Sequence, residues 1–304
     1  MIENISTIHY SDEVREALIA DKPIVALEST IISHGLPRPQ NLQVAHEVES
    51  IIRQRGGTPA TIAIIDGIVH IGLASAEIEA IANRDDIAKA SSRDLAISIA
   101  QRKSAATTVA ATAHLASRSG ISVFATGGLG GVHRGASESF DESADLTALS
   151  KLDITVVCAG VKSILDVGAT LERLETLAIT VVGYKTTNFP GFYLTDSGFT
   201  IEHRVENASE VVAIQRARAA VGTDRSALIV ANPVIHEMDR TRHNEILASG
   251  LILAKANGIS GKDVTPFLLE HFHTASKGES LRVNIDIIKS NSALAADIAV
   301  AGKN

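Results

Sequence analysis

Lys162 is the residue in this sequence whose position points most directly to chemistry. It follows the apolar run Ile154–Cys158 across the small step Ala159–Gly160. It is therefore predicted to lie beyond the carboxyl end of a buried strand, where open α/β sheets form their ligand clefts. Burial disfavours the charged form of an amine and frees its lone pair for covalent chemistry. The alternative is a lysine that extends from the strand end into solvent, and its position is equally compatible with that.

Glu28 is a second candidate, because it directly follows the apolar run Ile24–Leu27. A carboxyl group at a strand end inside a closed pocket can act as a general acid near neutral pH. Pairing with a nearby cation, or capping of a helix, is the competing interpretation.

Two further segments have the character of an anion site. Lys89 precedes the hydroxyl-rich stretch that begins at Ser91, and Thr108 and Val109 open another predicted helix. Free N–H groups at a helix start, with a hydroxyl group and a lysine close by, attract a phosphate. Each segment alone is explained equally well as a solvated basic loop or a threonine cap.

The glycine-rich segment from Thr126 to Gly135 (TGGLGGVHRG) lacks the dinucleotide fingerprint, because His133 stands where the third glycine should be. A Walker A lysine is also missing, so an NAD or ATP enzyme is disfavoured. The glycines still allow the backbone to approach a ligand closely, and His133 could supply a polar contact.

The stretch from Asp141 to Asp145 (DESAD) carries oxygen ligands suited to a hard divalent cation. An N-terminal cap for a helix beginning near Asp145 is the alternative. The sequence has no HExxH motif and no paired CxxC motif, which disfavours a structural zinc site. Asn284 lies inside a predicted apolar helix, where a buried amide would need hydrogen-bond partners.

Short β-branched runs alternate with segments of helical periodicity, which predicts a three-layer α/β/α fold with a central mixed, largely parallel sheet. The dipeptide Asp66–Gly67 predicts a tight hairpin, and no linker divides the chain, so residues 1–304 are predicted to form a single α/β domain. A helix-like stretch is also expected at Ser163–Val167. The predicted strands are Ile24–Leu27, Thr61–Ile65, Ile68–Ile71, Ser122–Thr126, Ile154–Cys158, Thr180–Tyr184 and Ala227–Ala231. The other predicted helices are Asn41–Arg55, Ser75–Asn83, Asp94–Arg102, Thr108–Ser119, Ser209–Val221, Asn244–Asn257, Val264–Ser276 and Leu281–Ala299.

The composition narrows the class of protein. A formal net charge of −7 argues against nucleic acid or an anionic membrane as the main partner. The single cysteine, Cys158, excludes an internal disulfide and favours a reducing compartment. No signal-peptide pattern and no apolar run of about 18 residues is found, so a cytoplasmic protein is expected.

Taken together, several strings in this sequence resemble the pseudouridine-5'-phosphate glycosidase family, in the same order and from about residue 22 to about residue 300. The strings are ALESTIISHGLP (26–37), PATIAI (59–64), SSRDL (91–95), ATTVA (106–110), FATGGLGGVHRGA (124–136), SFDESADL (139–146), VVCAGVKSILD (156–166), ANP (231–233), TPFLLE (265–270), SLRVNI (280–285) and NSALAADIA (291–299).

The resemblance implies reversible cleavage of a C–C glycosidic bond, which gives uracil and ribose 5-phosphate. It implies that Lys162 is the nucleophile, Glu28 the proton donor and Asp141 the ligand of a divalent metal such as Mn²⁺. It also implies a homotrimer. The substrate-binding residues expected from the local motifs and the resemblance together are Lys89, Thr108, Val109, Thr126, His133, Ser143, Ala144, Asp145 and Asn284.

Two departures from the family pattern bear on substrate fit. Ile235 replaces the second proline of an NPIP string, and Thr195 stands where the family often has arginine. A relative that acts on another C-nucleoside 5'-phosphate is therefore one alternative. A non-catalytic sugar-phosphate binding protein is the alternative from a different class.

Overall fold

The computed structural model describes residues 7–259 and 264–303, and within these ranges eleven strands form one sheet. The strand order is β1-β4-β3-β2-β7-β8-β11-β9-β10, with β6 pairing β3 and β5 pairing β6. The strands are β1 Ile8–Tyr10, β2 Ile24–Glu28, β3 Thr58–Ile65, β4 Ile68–Ile71, β5 Ala88–Ala90, β6 Ala105–Thr107, β7 Val123–Ala125, β8 Thr155–Cys158, β9 Thr180–Tyr184, β10 Arg204–Val205 and β11 Leu228–Ala231.

The helices cover both faces of this sheet. They are α1 Asp12–Ile19, α2 Gln40–Gln54, α3 Ser75–Asn83, α4 Leu95–Ala100, α5 Val109–Arg118, α6 Ala136–Ser139, α7 Ala144–Leu149, α8 Val167–Thr176, α9 Ala208–Val221, α10 Arg240–Ala256, α11 Val264–Ala275 and α12 Glu279–Lys303. None of the helices in the described part of the chain is long and apolar enough to cross a bilayer.

Alternate residues of the central strands pack into two different cores. Phe124 and Val156 belong to a cluster with α5 and α7, whereas Val123 and Val157 belong to a cluster with α2, α9 and α12. Because successive strand side chains point to opposite faces, this division produces the helix–sheet–helix layering. The predicted three-layer α/β/α fold is confirmed.

The sheet is mixed and mostly parallel, as predicted. Antiparallel pairing occurs only where β3 meets β4 and β6, among the described strands. The hairpin at Asp66–Gly67 is present, and both residues have positive φ, 49° and 83°, as a tight primed turn requires. All seven predicted strands are found, with ends that differ by up to three residues. The single-domain organisation stays a prediction.

One predicted helix is wrong in position. Ser163 and Ile164 form a turn, and helix α8 begins only at Val167. Asp166 caps that helix, because its side chain accepts a hydrogen bond from the Ala169 amide (3.0 Å). The segment that contains Lys162 is therefore a loop between β8 and α8.

Candidate active site

Glu28 and Lys162 lie at the same edge of the sheet. The strands β2, β7, β8 and β11 are neighbours that run parallel, so their carboxyl ends meet at one edge. Glu28 is the last residue of β2, and Lys162 lies in the loop after β8. Both side chains line one cleft of about 560 Å³, which Lys89 and Asn284 also line. The structure thus brings together four of the residues that were singled out from the sequence.

The carboxyl group of Glu28 is nearly buried, with 9% of the residue exposed. The hydroxyl group of Thr126, which follows β7, donates a hydrogen bond to one carboxylate oxygen, and the hydroxyl group of Thr30 donates to the other. These two contacts fix the orientation of the carboxyl group at the wall of the cleft. Thr126 therefore contributes to the site by orienting Glu28.

The loop that carries Lys162 is held by its backbone. The Lys162 amide donates to the Leu129 carbonyl (3.1 Å), and the Lys162 carbonyl accepts from Leu165 (2.9 Å). Gly160 has φ of +76°, and a Cβ there would lie 2.1 Å from the Pro190 carbonyl oxygen. Only glycine fits this position.

The side chain of Lys162 is half-buried. Within the described residues, no carboxylate forms an ion pair with its ammonium group. An amine at the wall of a cleft, held through its backbone and without an ion-pair partner, is available to react with a ligand.

The strands β5 and β6 deliver the predicted anion-binding residues to the same edge. β6 pairs antiparallel with the carboxyl-terminal half of β3. Its last residue, Thr107, therefore lies beside Ser29, and the Thr107 amide donates a hydrogen bond to the Ser29 hydroxyl group (2.9 Å). Thr108 precedes helix α5, and its buried hydroxyl group has no hydrogen-bond partner among the described residues. A polar ligand bound at this helix start would form a hydrogen bond with that hydroxyl group. Val109 is buried at the first position of the helix.

The predicted substrate contacts at Ser143, Ala144 and Asp145 do not line the cleft. The Ser143 side chain caps helix α7, because it accepts from the Asp145 amide (3.2 Å). The buried carboxylate of Asp145 accepts from the Gly130 amide (2.8 Å) and from the Ala110 amide (3.0 Å). Asp145 therefore joins the glycine-rich segment to the start of helix α5.

Asp141 and His133 lie near each other, with 3.8 Å between the Asp141 carboxylate and His133 Nδ1. The neighbouring Glu142 is paired instead with Arg173 (2.9 Å). In the described part of the chain, no group of three or more His, Cys, Asp or Glu side chains could hold a metal ion. Asp141 alone fits a hydrated hard cation, since such ions keep several waters beside one or two carboxylates.

Asn284 is buried in helix α12, and its side chain borders the cleft next to Gly127, where an added Cβ would lie 3.5 Å from the amide oxygen. The predicted buried amide is thus directed at the cleft. Its role as a substrate contact stays a prediction.

The cleft residues that were not selected from the sequence include Thr30, His34 and Phe192. Burial lowers the pKa of His34 below its usual value, and the charge of Lys89 lowers it further. The ring of Phe192 lies against the backbone of Gly128, where a Cβ would come within 2.6 Å of it. Thr30 and His34 belong to a string already noticed in the sequence, but Phe192 arrives from the loop between β9 and β10.

The two departures from the family pattern lie outside this cleft. Thr195 donates from its amide (2.7 Å) and its hydroxyl group (2.6 Å) to Glu237, and Ile235 is a largely exposed surface residue.

Cys158 is fully buried, and burial raises the pKa of its thiol to about 12, so a reactive thiolate is excluded.

Comparison with known proteins gives the class to which this fold and cleft belong. The family model described as indigoidine synthase A like protein matches residues 13–301. The chain therefore belongs to the family of indigoidine synthase A-like proteins.

Curated relatives carry a more specific name. A pseudouridine-5'-phosphate glycosidase of Salinispora tropica is 54% identical over 99% of this chain and 94% of its own length. A protein of the same name from Symbiobacterium thermophilum is 48% identical over 97% of this chain and 98% of its own length.

Two solved structures have the same fold. The crystal structure of an indigoidine synthase A-like protein from Thermotoga maritima has a TM-score of 0.89 and 37% identity, and the match covers 98% of this chain and 97% of that one. The prealnumycin C-glycosynthase AlnA, solved in complex with ribulose 5-phosphate, also has a TM-score of 0.89, with 32% identity over 97% of this chain and 96% of that one.

Proposed function

We propose that this chain is a pseudouridine-5'-phosphate glycosidase, which reversibly cleaves the C–C glycosidic bond to give uracil and ribose 5-phosphate. The observation that carries the proposal is the shared cleft of Glu28 and Lys162, with Lys89 at its wall. The names of relatives that match nearly the whole chain support it.

The reaction needs an amine because the bond joins two carbon atoms. Ordinary glycosidases use two carboxyl groups to release an oxygen-linked group that is readily protonated. A uracil carbanion is a poor leaving group, so the electrons for bond cleavage must come from elsewhere. A lysine attached to the sugar C1' can supply its nitrogen lone pair and become an iminium ion.

In the first half of the proposed sequence, the ribose ring opens. Electrons of the uracil ring break the C1'–O4' bond while Glu28 gives its proton to O4', which leaves a conjugated alkene on the protonated base. The neutral amine of Lys162 then adds to C1', the uracil ring regains its electron pair, and the proton lost by the amine returns to Glu28.

In the second half, the C–C bond breaks. Glu28 protonates C5 of the base, the nitrogen lone pair pushes toward C1', and uracil leaves while an iminium ion forms on Lys162. Water adds to that iminium ion, and its hydrolysis releases ribose 5-phosphate and frees the lysine. The proton set free in this step restores the acid form of Glu28. Net consumption is one water molecule.

The phosphate group is proposed to bind where helix α5 begins. Lys89 contributes positive charge, and the Val109 amide contributes a donor, as does the Thr108 hydroxyl group, which has no hydrogen-bond partner in the described part of the chain. Binding energy from the phosphate, which is remote from the reacting carbon, can orient the sugar. His133, Ser143, Ala144, Asp145 and Asn284 remain proposed contacts of the sugar or the base.

A divalent cation is proposed at Asp141, with Mn²⁺ as the first choice. The exposed portion of its carboxylate and the nearby His133 support a hydrated ion that orders water and substrate oxygens. The chemistry that such an ion supplies is charge stabilisation, and the bond-making groups are those of the chain.

A homotrimer in the cytoplasm is proposed as the working form. The support for this proposal is the resemblance of the sequence to a family whose members form trimers. Light scattering on the purified protein measures the number of subunits.

A second candidate is action on another C-nucleoside 5'-phosphate. The observation that favours it is the structural likeness to a C-glycosynthase that was solved with ribulose 5-phosphate. Its TM-score of 0.89 equals that of the indigoidine synthase A-like protein. A panel of phosphorylated C-nucleosides separates this candidate from the first.

The test is release of uracil from pseudouridine 5'-phosphate, with and without Mn²⁺ and with the unphosphorylated nucleoside as a comparison. Wild type is expected to prefer the phosphorylated substrate, and Lys162→Ala is expected to release no uracil while it still folds. Binding of ribose 5-phosphate without any uracil release by wild type would instead indicate a sugar-phosphate binding protein. Normal turnover by Lys162→Ala would refute the role of the lysine.

A further inference from the structure

Two buried asparagines join three strand ends behind the cleft. Asn291 is 1% exposed in helix α12, and Asn232 directly follows β11. Their amides are hydrogen bonded to each other, from Asn232 Nδ2 to Asn291 Oδ1 (2.9 Å). The two residues lie 59 positions apart in the chain, so the contact is purely tertiary.

Asn291 holds the end of β7. Its Nδ2 donates to the carbonyl oxygen of Thr126 (2.7 Å) and lies within 3.4 Å of the Gly127 carbonyl oxygen. Thr126 is the residue whose hydroxyl group donates to Glu28. A displacement of the Thr126 backbone would therefore move the donor that orients the carboxyl group.

Asn232 holds the end of β8. Its backbone amide donates to the Cys158 carbonyl oxygen (2.8 Å), at the last residue before the loop that carries Lys162. The same loop is tied to the glycine-rich segment, because the Ala159 amide donates to the Gly127 carbonyl oxygen (2.9 Å). The side-chain amide of Asn291 thus contacts the end of β7, and it is bonded to the side chain of the residue whose backbone amide contacts the end of β8.

Helix α12 also has apolar contacts in this region. Its neighbouring residues Ile288, Leu294 and Ala295 pack on the sheet through apolar surface. A buried amide network fixes directions that apolar contacts leave open, but it must be fully hydrogen bonded. The amide group of Asn291 meets this condition, with Nδ2 donating to the chain and Oδ1 accepting from Asn232.

We propose that Asn232 and Asn291 are a positioning pair, which holds the ends of β7 and β8 so that Glu28 and Lys162 are both oriented toward the glycosidic bond. The proposal rests on the proposed function, and it deepens that function by adding residues that touch no substrate. It also gives a role to the ANP string at 231–233 and to the first residue of the NSALAADIA string.

The experiment uses two substitutions at the helix position. Asn291→Leu removes the donor and keeps the volume roughly constant, and kcat for pseudouridine 5'-phosphate is expected to fall by about 10- to 100-fold. KM is expected to stay within about threefold, because the phosphate contacts are unchanged. The matched control is Ser292→Ala, because Ser292 is equally buried in the same helix and its hydroxyl group has no partner among the described residues.

Asn291→Asp adds a readout that a purely structural role would not produce. A protonated aspartic acid can donate its O–H to the Thr126 carbonyl oxygen, whereas an ionised one has no donor and repels that oxygen. The ratio of variant kcat to wild-type kcat is therefore expected to approach one at acidic pH and to fall as pH rises through the carboxyl pKa. The same ratio for Asn291→Leu is expected to stay low at every pH.

Three outcomes decide the matter. If folded Asn291→Leu keeps the wild-type kcat, or if the Asn291→Asp ratio does not change with pH, the positioning role is overturned. If Ser292→Ala loses as much kcat as Asn291→Leu, the effect is one of helix packing, and the positioning role is likewise overturned. If wild type releases no uracil from pseudouridine 5'-phosphate, the proposed function itself fails and this inference falls with it.

Discussion

The hydroxyl group of Thr126 donates a hydrogen bond across the sheet to the carboxylate of Glu28. The two residues come from the carboxyl ends of neighbouring parallel strands, β7 and β2, and are 98 positions apart in the chain. The carboxyl group that we propose as the proton donor is therefore oriented by a strand that does not carry it.

Removal of that hydroxyl group tests its contribution. Thr126→Val keeps the shape and loses the donor, and kcat is expected to fall by about 10- to 100-fold, since a hydrogen bond to a charged group is worth about 1.5–3 kcal/mol. Thr126→Ser keeps the hydroxyl group and is expected to stay close to wild type. Steady-state kinetics of uracil release provide the measurement. Equal kcat values for the valine and serine variants would contradict the prediction.

Gly160→Ala is expected to disrupt the loop that carries Lys162. The new Cβ would lie 2.1 Å from the Pro190 carbonyl oxygen, and a backbone atom cannot move aside cheaply. Gly120→Ala is the matched control, because Gly120 has the same φ of +76° with nothing within 4 Å of an added Cβ.

The control variant is expected to lose about 1–2 kcal/mol of unfolding free energy, which is the cost of a left-handed backbone, and to keep its kcat. Gly160→Ala is expected to lose more stability and most of its activity. Urea unfolding and kinetics measure the two effects. Equal stability losses in the two variants would show that the close approach at Pro190 is unimportant.

The lowered pKa of His34 predicts a pH-dependent difference in stability. Burial, with the charge of Lys89 adding to it, keeps this imidazole neutral in the folded chain at pH values where it is protonated in the unfolded chain. The unfolded state then binds more protons, so the His34 contribution makes the free energy of unfolding fall as pH falls below about 6.5.

His34→Gln removes that proton uptake. Its stability relative to wild type is expected to be constant above about pH 7 and to improve as pH is lowered through the histidine range. Urea unfolding of both proteins at several pH values provides the comparison. A stability difference that is the same at every pH would contradict the lowered pKa.

The proposed metal site can be separated from the surrounding carboxylates. Asp141→Asn is expected to raise the Mn²⁺ concentration needed for half-maximal activity, because a neutral amide is a weaker ligand for a hard cation. Glu142→Gln is the neighbouring control, since Glu142 is already paired with Arg173. Activity titrations with Mn²⁺ after chelation show the effect. The same Mn²⁺ requirement in all three proteins would exclude Asp141 as the ligand.

The sequence predicted those parts of the structure that depend on local pattern. β-branched apolar runs gave the central strands, and the residue after each run gave Glu28 and the segment of Lys162. The strands β5 and β6 were missed because each has only three residues, AKA and AAT, without a run of β-branched side chains. Their place in the sheet depends on the pairing of β6 with β3 and of β5 with β6.

The cleft was only partly predictable for a related reason. Phe192 enters from the loop between β9 and β10, and no local pattern connects that loop with the glycine-rich segment. Asp145 was selected as a substrate contact, which stays a prediction, but its hydrogen bonds to two backbone amides could not be read from the sequence. The Asn232–Asn291 contact joins a strand end to a distant helix, which only the folded chain reveals.

The central claim is that Lys162 forms a covalent bond with the sugar. Borohydride reduction of wild-type protein incubated with ribose 5-phosphate, followed by peptide mass spectrometry, tests this claim most directly, because reduction turns a transient iminium ion into a stable amine. A pentose phosphate adduct is expected on Lys162 and on no other lysine. An adduct on Lys89 alone, or no adduct in protein that releases uracil, would contradict the account.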